Sequence, residues 1–301
     1  MTDKNDTPLV LGFSEYASQT ERFAKAAGLP FSLIDVHRFP DGESKLTLPS
    51  KLPGRVIIMR SLDRPNDKLV ELILAAAGAR QLGASKVILI APYLCYMRQD
   101  KAFHPGEVVS QPIIGQCLAA HIDAIVTVDS HLHRVHRLSD AVPVADAINL
   151  TATDPMAHFL QQNVDNPFLI GPDGESEQWV SDIASHYGFD FRVAQKERLG
   201  DRRVRITMPE GSYQGRNLVL VDDVASTGKT LLEAARLLQP YQPASLSVLV
   251  THALFVDHAE EELHAAGVDN IWSCDAIPHP SNRVELADLL AGSLLSGKQL
   301  Q

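Results

Sequence analysis

An apolar run in the C-terminal half of the chain ends in two acids and leads to a Gly-Lys-Thr triplet. The stretch reads VLVDDVASTGKTLLEAARLL and spans Val219–Leu238. A nucleotide-binding P-loop needs a glycine five positions before its Gly-Lys pair, and Asp223 occupies that position here. Because a carboxylate there would repel the phosphates that a P-loop surrounds, the residues exclude this interpretation.

The same stretch still has the parts of an anion site. An apolar strand, Leu218–Val221, leads into a loop of small residues and an amphipathic helix. Backbone N–H groups of such a loop and the N-terminus of its helix bind anions. Asp222 and Asp223 can accept hydrogen bonds from hydroxyl groups beside the anion. A phosphate beside vicinal hydroxyls is typical of a ribose phosphate, so the residues predict a sugar-phosphate site.

A second stretch, APYLCYMRQDKAFHPGEVVSQ, spans Ala91–Gln111 and begins at the end of another apolar run. Its first aromatic and polar side chains are Tyr93, Tyr96, Arg98, Gln99 and Asp100. Aromatic, guanidinium and amide groups can stack on a purine and bind its phosphates. A surface loop with an Arg–Asp pair accounts for the same residues equally well, so both interpretations remain open.

A third segment, Gln195–Arg216, is rich in Lys and Arg although the protein as a whole is acidic. Its polarity predicts that it lies outside the core, either as a solvated hairpin or as a mobile flap over an active site. Composition alone favours the solvated hairpin.

Composition limits the class of protein that carries these stretches. The chain has 301 residues, 45% of them hydrophobic, and a net charge of −10, which predicts two globular domains and argues against nonspecific nucleic-acid binding. Its three cysteines are widely spaced, which is typical of thiols in a reducing compartment. We find no apolar run of signal-peptide or membrane-spanning length and therefore expect a cytoplasmic protein without membrane contact.

The elements that position these stretches alternate between strands and helices. The strand candidates are Leu9–Phe13, Val56–Met59, Val87–Ala91, Ala124–Val128, Phe168–Ile170, Leu218–Val221, Leu246–Val250 and Asn270–Cys274. Helical patterns such as Asp67–Leu82 lie between them, which predicts parallel sheets covered by helices on both faces. Ligands of such sheets bind beyond the carboxyl ends of the strands. A boundary near Asn149–Pro155 divides the chain into expected domains 1–150 and 151–301.

Together these stretches resemble a known family. The matching segments are FPDGE (Phe39–Glu43), NDKLVEL (Asn66–Leu72), PYLCYMRQD (Pro92–Asp100), PGE (Pro105–Glu107), DSH (Asp129–His131), NLTA (Asn149–Ala152), PD (Pro172–Asp173), KER (Lys196–Arg198) and DDVASTGKT (Asp222–Thr230). In this order they resemble the ribose-phosphate pyrophosphokinase, or phosphoribosyl pyrophosphate synthetase, family along nearly the whole chain. The resemblance implies an α/β fold of two tandem phosphoribosyltransferase-like domains.

The resemblance also implies a reaction. Members transfer the pyrophosphoryl group of MgATP to the C1 hydroxyl of ribose 5-phosphate, which gives 5-phosphoribosyl 1-pyrophosphate and AMP for nucleotide biosynthesis. We therefore expect an enzyme of the transferase class that uses Mg²⁺, ATP and ribose 5-phosphate. We also expect a homo-oligomer, because the family arrangement brings part of the ATP site from a neighbouring subunit.

Site residues follow from the resemblance position by position. The implied ATP-binding residues are Phe39, Asp41, Gly42, Glu43, Arg98, Gln99 and Asp100, with Asp41–Glu43 supplied by the neighbouring subunit. The implied ribose 5-phosphate residues are Arg198, Asp222, Asp223, Ser226, Thr227, Gly228, Lys229 and Thr230. Lys196 and Arg198 are the implied catalytic cations, and His131 and Asp173 the implied metal residues. The segment that carries Lys196 is thereby expected to be the flap.

Two departures from the family pattern keep alternatives open. Lys229 stands where the loop usually has a second glycine; a left-handed backbone there would cost a lysine about 1 kcal/mol, whereas its ammonium would add a phosphate contact. Glu175 and Glu177 follow Asp173, where the family usually has small residues. The alternatives are a catalytically inert regulatory paralogue and, less favoured, a phosphoribosyltransferase that consumes the activated sugar.

Overall fold

The computed structural model describes residues 7–132, 134–198 and 204–296. These residues form two compact α/β units. One contains the chain up to Leu150 together with the segment from Leu286 onward, and the other is Thr151–Glu285.

The first unit is built on a six-stranded parallel sheet of order β2-β1-β5-β6-β7-β8. Two further strands, β3 and β4, pair antiparallel as a separate hairpin. The strands are β1 (Leu9–Gly12), β2 (Phe31–Leu33), β3 (Asp35–Arg38), β4 (Ser44–Thr47), β5 (Arg55–Met59), β6 (Lys86–Ile90), β7 (Ala124–Val128) and β8 (Asp146–Leu150). The helices between them are α1 (Ala17–Ala27), α2 (Pro65–Gln81), α3 (Ser110–Ala119) and α4 (Leu138–Ala141).

The second unit repeats this plan with the parallel order β10-β9-β13-β14-β15-β16 and a separate antiparallel hairpin of β11 and β12. Its strands are β9 (Pro167–Gly171), β10 (Asp190–Val193), β11 (Gln195–Arg198), β12 (Val204–Thr207), β13 (Asn217–Ala225), β14 (Ser245–Ala253), β15 (Asn270–Cys274) and β16 (Asn282–Val284). Its helices are α5 (Thr153–Asn163), α6 (Glu177–Tyr187), α7 (Lys229–Leu238) and α8 (Ala259–Ala265). The predicted α/β class, with parallel sheets flanked by helices, is confirmed.

The cores of both units follow from their apolar strands. Every residue of β7 and of β9 is buried, as expected when helices cover both faces of a parallel sheet. Among the described residues, no helix combines the length and the apolar character needed to cross a membrane.

The last helix, α9 (Ala287–Ser296), differs from the expected domain division. Residues 286–301 were expected in the second domain, but α9 packs against α1 of the first unit. Leu286 and Leu290 are each only 1% exposed, so burial of apolar side chains holds this segment in the first unit. Such a return of the chain leaves no local signal in the sequence.

Candidate active site

Three acids lie at the carboxyl edge of the second unit's sheet. Asp222 and Asp223 belong to the last part of β13, and Asp173 lies two residues after the end of β9. Because β9 and β13 are neighbouring parallel strands, their ends meet at one edge. Asp173 and Asp223 are 7% and 5% exposed, and the amide of Asp223 donates to Oδ1 of Asp222 at 3.0 Å.

This acid cluster, Asp173, Asp222 and Asp223, is electrostatically unfavourable by itself. Burial raises the pKa of Asp222 well above its ordinary value, and the neighbouring charges of Asp223 and Asp173 raise it further. A cation or hydroxyl donors at this edge would stabilise the ionised carboxylates. The carboxylate oxygens of the acid cluster therefore fit the two groups that the sequence predicts here, which are sugar hydroxyls and a hard divalent cation.

The loop after the acid cluster has the geometry of an anion site. Gly228 has φ +65°, a left-handed conformation that favours glycine, and α7 starts at the next residue. The first N–H groups of a helix lack partners within it and point towards whatever lies before its N-terminus. The amide of Val256 donates to the carbonyl of Ser226 at 3.0 Å and ties the loop to the neighbouring chain segment.

Lys229 adopts helical backbone geometry, since it is the first residue of α7. The strain considered for a lysine at this position does not arise, because Gly228 takes the left-handed conformation. Lys229 and Thr227 are exposed, whereas Ser226 and Thr230 are half-buried. The loop thus presents a hydroxyl and an ammonium group to solvent at the N-terminus of a helix.

An open depression of about 580 Å³ lies beside Asp173. It is lined by Asp173, Gly174, Glu175, Glu177, Val193, Ala194 and Gln195. Glu175 and Glu177 are exposed at its rim, and the amide of Glu175 donates to Oδ1 of Asp173 at 3.1 Å. Glu177 is the first residue of α6, where a carboxylate interacts favourably with the helix dipole. Glu177 therefore has a local structural role at the start of α6.

The basic segment contains an antiparallel hairpin of β11 and β12. Lys196 and Arg198 lie on β11, in register with Ile206 and Val204 of β12. Residues 199–203, which include Arg202 and Arg203 of the same basic segment, lie outside the described residues. The expectation that the whole segment is too polar for the core is wrong for its end, since Tyr213 is 1% exposed in the second unit's core.

The predicted ATP stretch of the first unit is partly exposed and partly anchored. Arg98 is exposed, and the side-chain amide of Gln99 donates to the carbonyl of Lys101 at 2.9 Å. The carboxylate of Asp100 is 2% exposed and accepts from Nη1 of Arg134 at 2.7 and 2.9 Å. Asp100 therefore positions this loop through Arg134, a residue that the sequence analysis missed because 34 residues separate the two.

The hairpin of β3 and β4 carries the other predicted ATP residues at its tip, Phe39–Glu43. All five tip residues are exposed. The amide of Phe39 donates to the carbonyl of Glu43 at 2.8 Å, and Gly42, at φ +95°, donates to the carbonyl of Phe39 at 2.9 Å. The tip is thus a closed turn that presents Phe39, Asp41 and Glu43 to solvent.

The predicted metal residues lie in different units. His131 is half-buried in the loop after β7 of the first unit, and Asp173 belongs to the second. Within residues 7–132, 134–198 and 204–296, no three His, Cys, Asp or Glu side chains group as metal ligands. Mg²⁺ in nucleotide sites characteristically uses one or two carboxylates together with water and phosphate.

Comparison with known proteins assigns the family. A profile described as the N-terminal domain of ribose phosphate pyrophosphokinase matches residues 9–121, and a phosphoribosyl transferase domain profile matches residues 148–285. The ribose-phosphate pyrophosphokinase of Methanopyrus kandleri is 35% identical over 294 residues, which cover 96% of this chain and 100% of that protein. The chain belongs to the ribose-phosphate pyrophosphokinase family.

Other relatives agree with this assignment. The ribose-phosphate pyrophosphokinase of Methanosarcina acetivorans is 31% identical over 277 residues, covering 91% of this chain and 94% of that one. The crystal structure of phosphoribosylpyrophosphate synthetase from Mycobacterium smegmatis superposes with a TM-score of 0.84 at 19% identity, covering 98% and 100% of the two chains. At that identity the match shows the fold, and the two tandem phosphoribosyltransferase-like domains of this pyrophosphokinase family are confirmed.

Proposed function

We propose that the chain transfers the pyrophosphoryl group of ATP to the C1 hydroxyl of ribose 5-phosphate, forming 5-phosphoribosyl 1-pyrophosphate and AMP. The observation that carries the proposal is the acid cluster at the carboxyl edge of the second sheet, together with the loop that leads from Asp223 to the N-terminus of α7. Asp222, Asp223 and the N-terminus of α7 lie on one strand–loop–helix unit, as a sugar that carries both hydroxyls and a phosphate requires.

In this proposal the ribose 5-phosphate is held from two sides. The amides at the N-terminus of α7, with the hydroxyls of Thr227 and Thr230, donate to its phosphate. Asp222 and Asp223 accept hydrogen bonds from its ring hydroxyls. The pKa of Asp222, which is raised in the free protein, should fall in the complex, because hydroxyl donors favour the ionised carboxylate.

The nucleotide is assigned to the first unit's exposed stretches. Arg98 and Gln99 bind ATP, Asp100 positions that loop, and the tip Phe39–Glu43 contributes from a neighbouring subunit. Mg²⁺, held near Asp173 and His131 in part through its waters, would offset phosphate charge when bound.

Lys196 and Arg198 supply the cationic stabilisation. Pyrophosphoryl transfer spreads negative charge over the oxygens of the attacked phosphorus and the leaving AMP oxygen, so catalysis depends on positioning and on nearby cations. Residues two apart on a strand share a face, so Lys196 and Arg198 can act on one triphosphate.

A homo-oligomer follows from this assignment, because a tip that serves a neighbour's site leaves an isolated subunit incomplete. Multi-angle light scattering at the enzyme concentration of the assay is expected to give at least a dimer. A fully active monomer would contradict the assignment of the tip. We place the reaction in the cytoplasm, where its phosphorylated substrates are available.

The experiment that tests the function is an assay with ribose 5-phosphate and MgATP, with detection of AMP and of the activated sugar. AMP formation that depends on ribose 5-phosphate is expected. The alternative of an inert regulatory paralogue is not favoured, because the chain is similar along 95% or more of its length to relatives named ribose-phosphate pyrophosphokinase. That alternative predicts no turnover, and a phosphoribosyltransferase would instead consume the activated sugar when a base is added.

A further inference from the structure

The buried carboxylate of Glu71 contacts the residues on both sides of the tip Phe39–Glu43. Arg38, the residue before the tip, donates to Oε1 of Glu71 from Nε at 3.3 Å and from Nη2 at 3.1 Å. Ser44, the residue after the tip, donates its hydroxyl to the same oxygen at 2.9 Å. Glu71 lies on α2, so one carboxylate oxygen holds both strands of the hairpin to a helix of the unit.

Glu71 is itself held in place by a buried arginine. Its Oε2 accepts from Nη2 of Arg60 at 2.5 Å, and both side chains are 2% exposed. Arg60 also donates to Glu15 at 2.7 Å, and its guanidinium lies 3.7 Å from the centre of the Phe13 ring. The hydrogen bonds that Glu71 accepts from Arg38, Ser44 and Arg60 all stabilise its ionised carboxylate.

The electrostatics agree with the contacts. Burial by itself raises the pKa of Glu71, but hydrogen bonds from Arg60 and Ser44 and the charges of Arg60 and Arg38 outweigh it and lower the pKa. Glu71 is therefore ionised at neutral pH, and the bonds to Arg38 and Ser44 are charge-assisted.

The same helix supports the second predicted ATP stretch. Asn66, in the first turn of α2, accepts from the hydroxyl of Tyr96 at 2.6 Å. Tyr96 has φ +60°, a conformation that a bulky residue adopts only when its surroundings impose it. Because Tyr96 precedes Arg98 by two residues, the first turns of α2 hold both stretches that are assigned to ATP.

We propose that Glu71 is a positioning residue for ATP: it sets the tip Phe39–Glu43 in the orientation that binds nucleotide, without touching the nucleotide itself. This inference rests on the proposed function, in which the tip contacts ATP. It predicts a selective effect, because ribose 5-phosphate is assigned to the second unit, which has its own core.

The test uses Ser44 rather than Glu71. Removal of the Glu71 carboxylate would take one ion-pair partner from the buried Arg60, which would destabilise the fold. Ser44→Ala deletes one hydrogen bond to Glu71 but leaves the buried pair of Glu71 and Arg60 intact. Ser44→Thr retains the hydroxyl and serves as the conservative variant. Lys45→Ala, on the adjacent exposed position of β4, is the matched control. Arg38→Gln probes the other strand.

For Ser44→Ala and Arg38→Gln we expect the KM for ATP to rise about tenfold, the size of one charge-assisted hydrogen bond. The KM for ribose 5-phosphate should stay within about twofold, and Ser44→Thr and Lys45→Ala should behave like the wild type. Hydrogen exchange of the Phe39 and Gly42 amides should accelerate about tenfold in the two damaging variants, because these amides close the tip.

Other outcomes overturn the inference. Equal rises of both Michaelis constants would mean a general loss of structure, and an unchanged ATP KM despite faster exchange would mean that the orientation of the tip does not matter. If the wild type shows no turnover, the proposed function fails, and calorimetric binding of a non-hydrolysable ATP analogue decides the inference separately. Ten-fold weaker binding in Ser44→Ala supports it, and equal binding refutes it.

Discussion

The two hairpins of this chain occupy the same place in their units. Each follows the second strand of its parallel sheet and precedes the third, and each consists of two strands of four residues around a stretch of equal length. Even the entry is alike, since Ile34 donates to Gly12 at 2.8 Å and Ala194 donates to Gly171 at 2.8 Å. One architecture thus carries the tip FPDGE in the first unit and the basic pair Lys196 and Arg198 in the second.

The strand ends beside these hairpins differ in charge. When Gly12 and Gly171 are matched, Arg60 of the first unit corresponds to Asp222 of the second. Arg60 is buried and neutralised by Glu71 and Glu15, whereas Asp222 faces two further acids that raise its pKa. In the first unit, the charge at the strand end is balanced by ion pairs within the unit. In the second unit, the three neighbouring acids repel one another, and a bound ligand can offset this repulsion. At this matched position the first unit therefore has a structural ion pair, and the second has a carboxylate that a ligand can stabilise.

The largest expected effect comes from the second hairpin. Lys196→Ala should lower kcat by about three orders of magnitude and leave the affinities for both substrates within a few-fold, because such a cation meets the phosphates mainly in the transition state. Arg198→Ala should act similarly. The double variant should lose less than the product of the two effects, since both serve one charge cluster. Steady-state kinetics and nucleotide binding provide the measurement.

Arg203→Ala supplies the control for this prediction. This substitution removes a positive charge from the same segment of sequence and leaves Lys196 and Arg198 unchanged. If the second hairpin acts only as a diffuse basic surface, Arg203→Ala should cost as much as Lys196→Ala. Equal and modest losses in all three single variants would therefore refute the assignment.

A smaller effect is expected at the anion loop. Thr227→Val and Thr230→Val remove hydroxyl donors beside the N-terminus of α7, and each should raise the KM for ribose 5-phosphate by about tenfold or more, equivalent to about 1.5–3 kcal/mol. The ATP KM should change little. An increase in the ATP KM alone would mean that this loop holds the nucleotide, and the assignment of substrates to the two units would be reversed.

The difference between the two strand ends can be tested as a difference in sign. The pKa of Asp222 is raised from 3.8, so the folded state holds this proton more tightly and loses stability as pH rises above about 4. Asp222→Asn should therefore increase Tm at pH 7 by about 3 °C, with little gain below pH 4, while activity falls. Calorimetric scans at the two pH values measure this, and a lower Tm at pH 7 would contradict it.

Glu71 is the counterpart with the opposite sign. Its pKa is lowered from 4.5, so its ionised form contributes stability above that value, and the contribution is lost as pH falls through the lowered pKa. Glu71→Gln should decrease Tm at pH 7, and the deficit should shrink in acid. Equal signs for Asp222→Asn and Glu71→Gln would show that the two strand ends do not differ as described.

Local patterns in the sequence predicted the strands and, from its composition, the anion loop. Apolar runs such as Val56–Met59 predict parallel strands because burial on both faces leaves only apolar residues, and the loop Ser226–Thr230 has the composition of an anion site. Contacts between distant residues leave no such pattern. The Asp100–Arg134 pair and the contacts of Glu71 with Arg38 and Ser44 join residues far apart in sequence, so only the structure reveals them.

The same limit explains two errors. Tyr213 stands in a polar segment, and its burial against Phe168 depends on a core formed elsewhere in the chain. The return of α9 to the first unit likewise depends on its packing against α1, a distant helix that the sequence around Leu290 does not indicate. By contrast, the backbone at Lys229 is decided locally, because Gly228 already provides the one left-handed residue that the turn requires.

The smallest expected effect concerns the acids at the rim of the depression. Glu175 and Glu177 are exposed, so water and salt screen their repulsion of anionic substrates, and each contributes well under about 1 kcal/mol. Glu175→Gln should lower the KM for ribose 5-phosphate by less than about fivefold, and the gain should disappear at high ionic strength. Glu177→Gln should also lower Tm slightly, because it removes a favourable charge from the first turn of α6. Kinetics at low and high salt distinguish this from the inert alternative, in which the double Gln variant would gain turnover that the wild type lacks. Such a gain would mean that repulsion by these two acids suppresses turnover in the wild type.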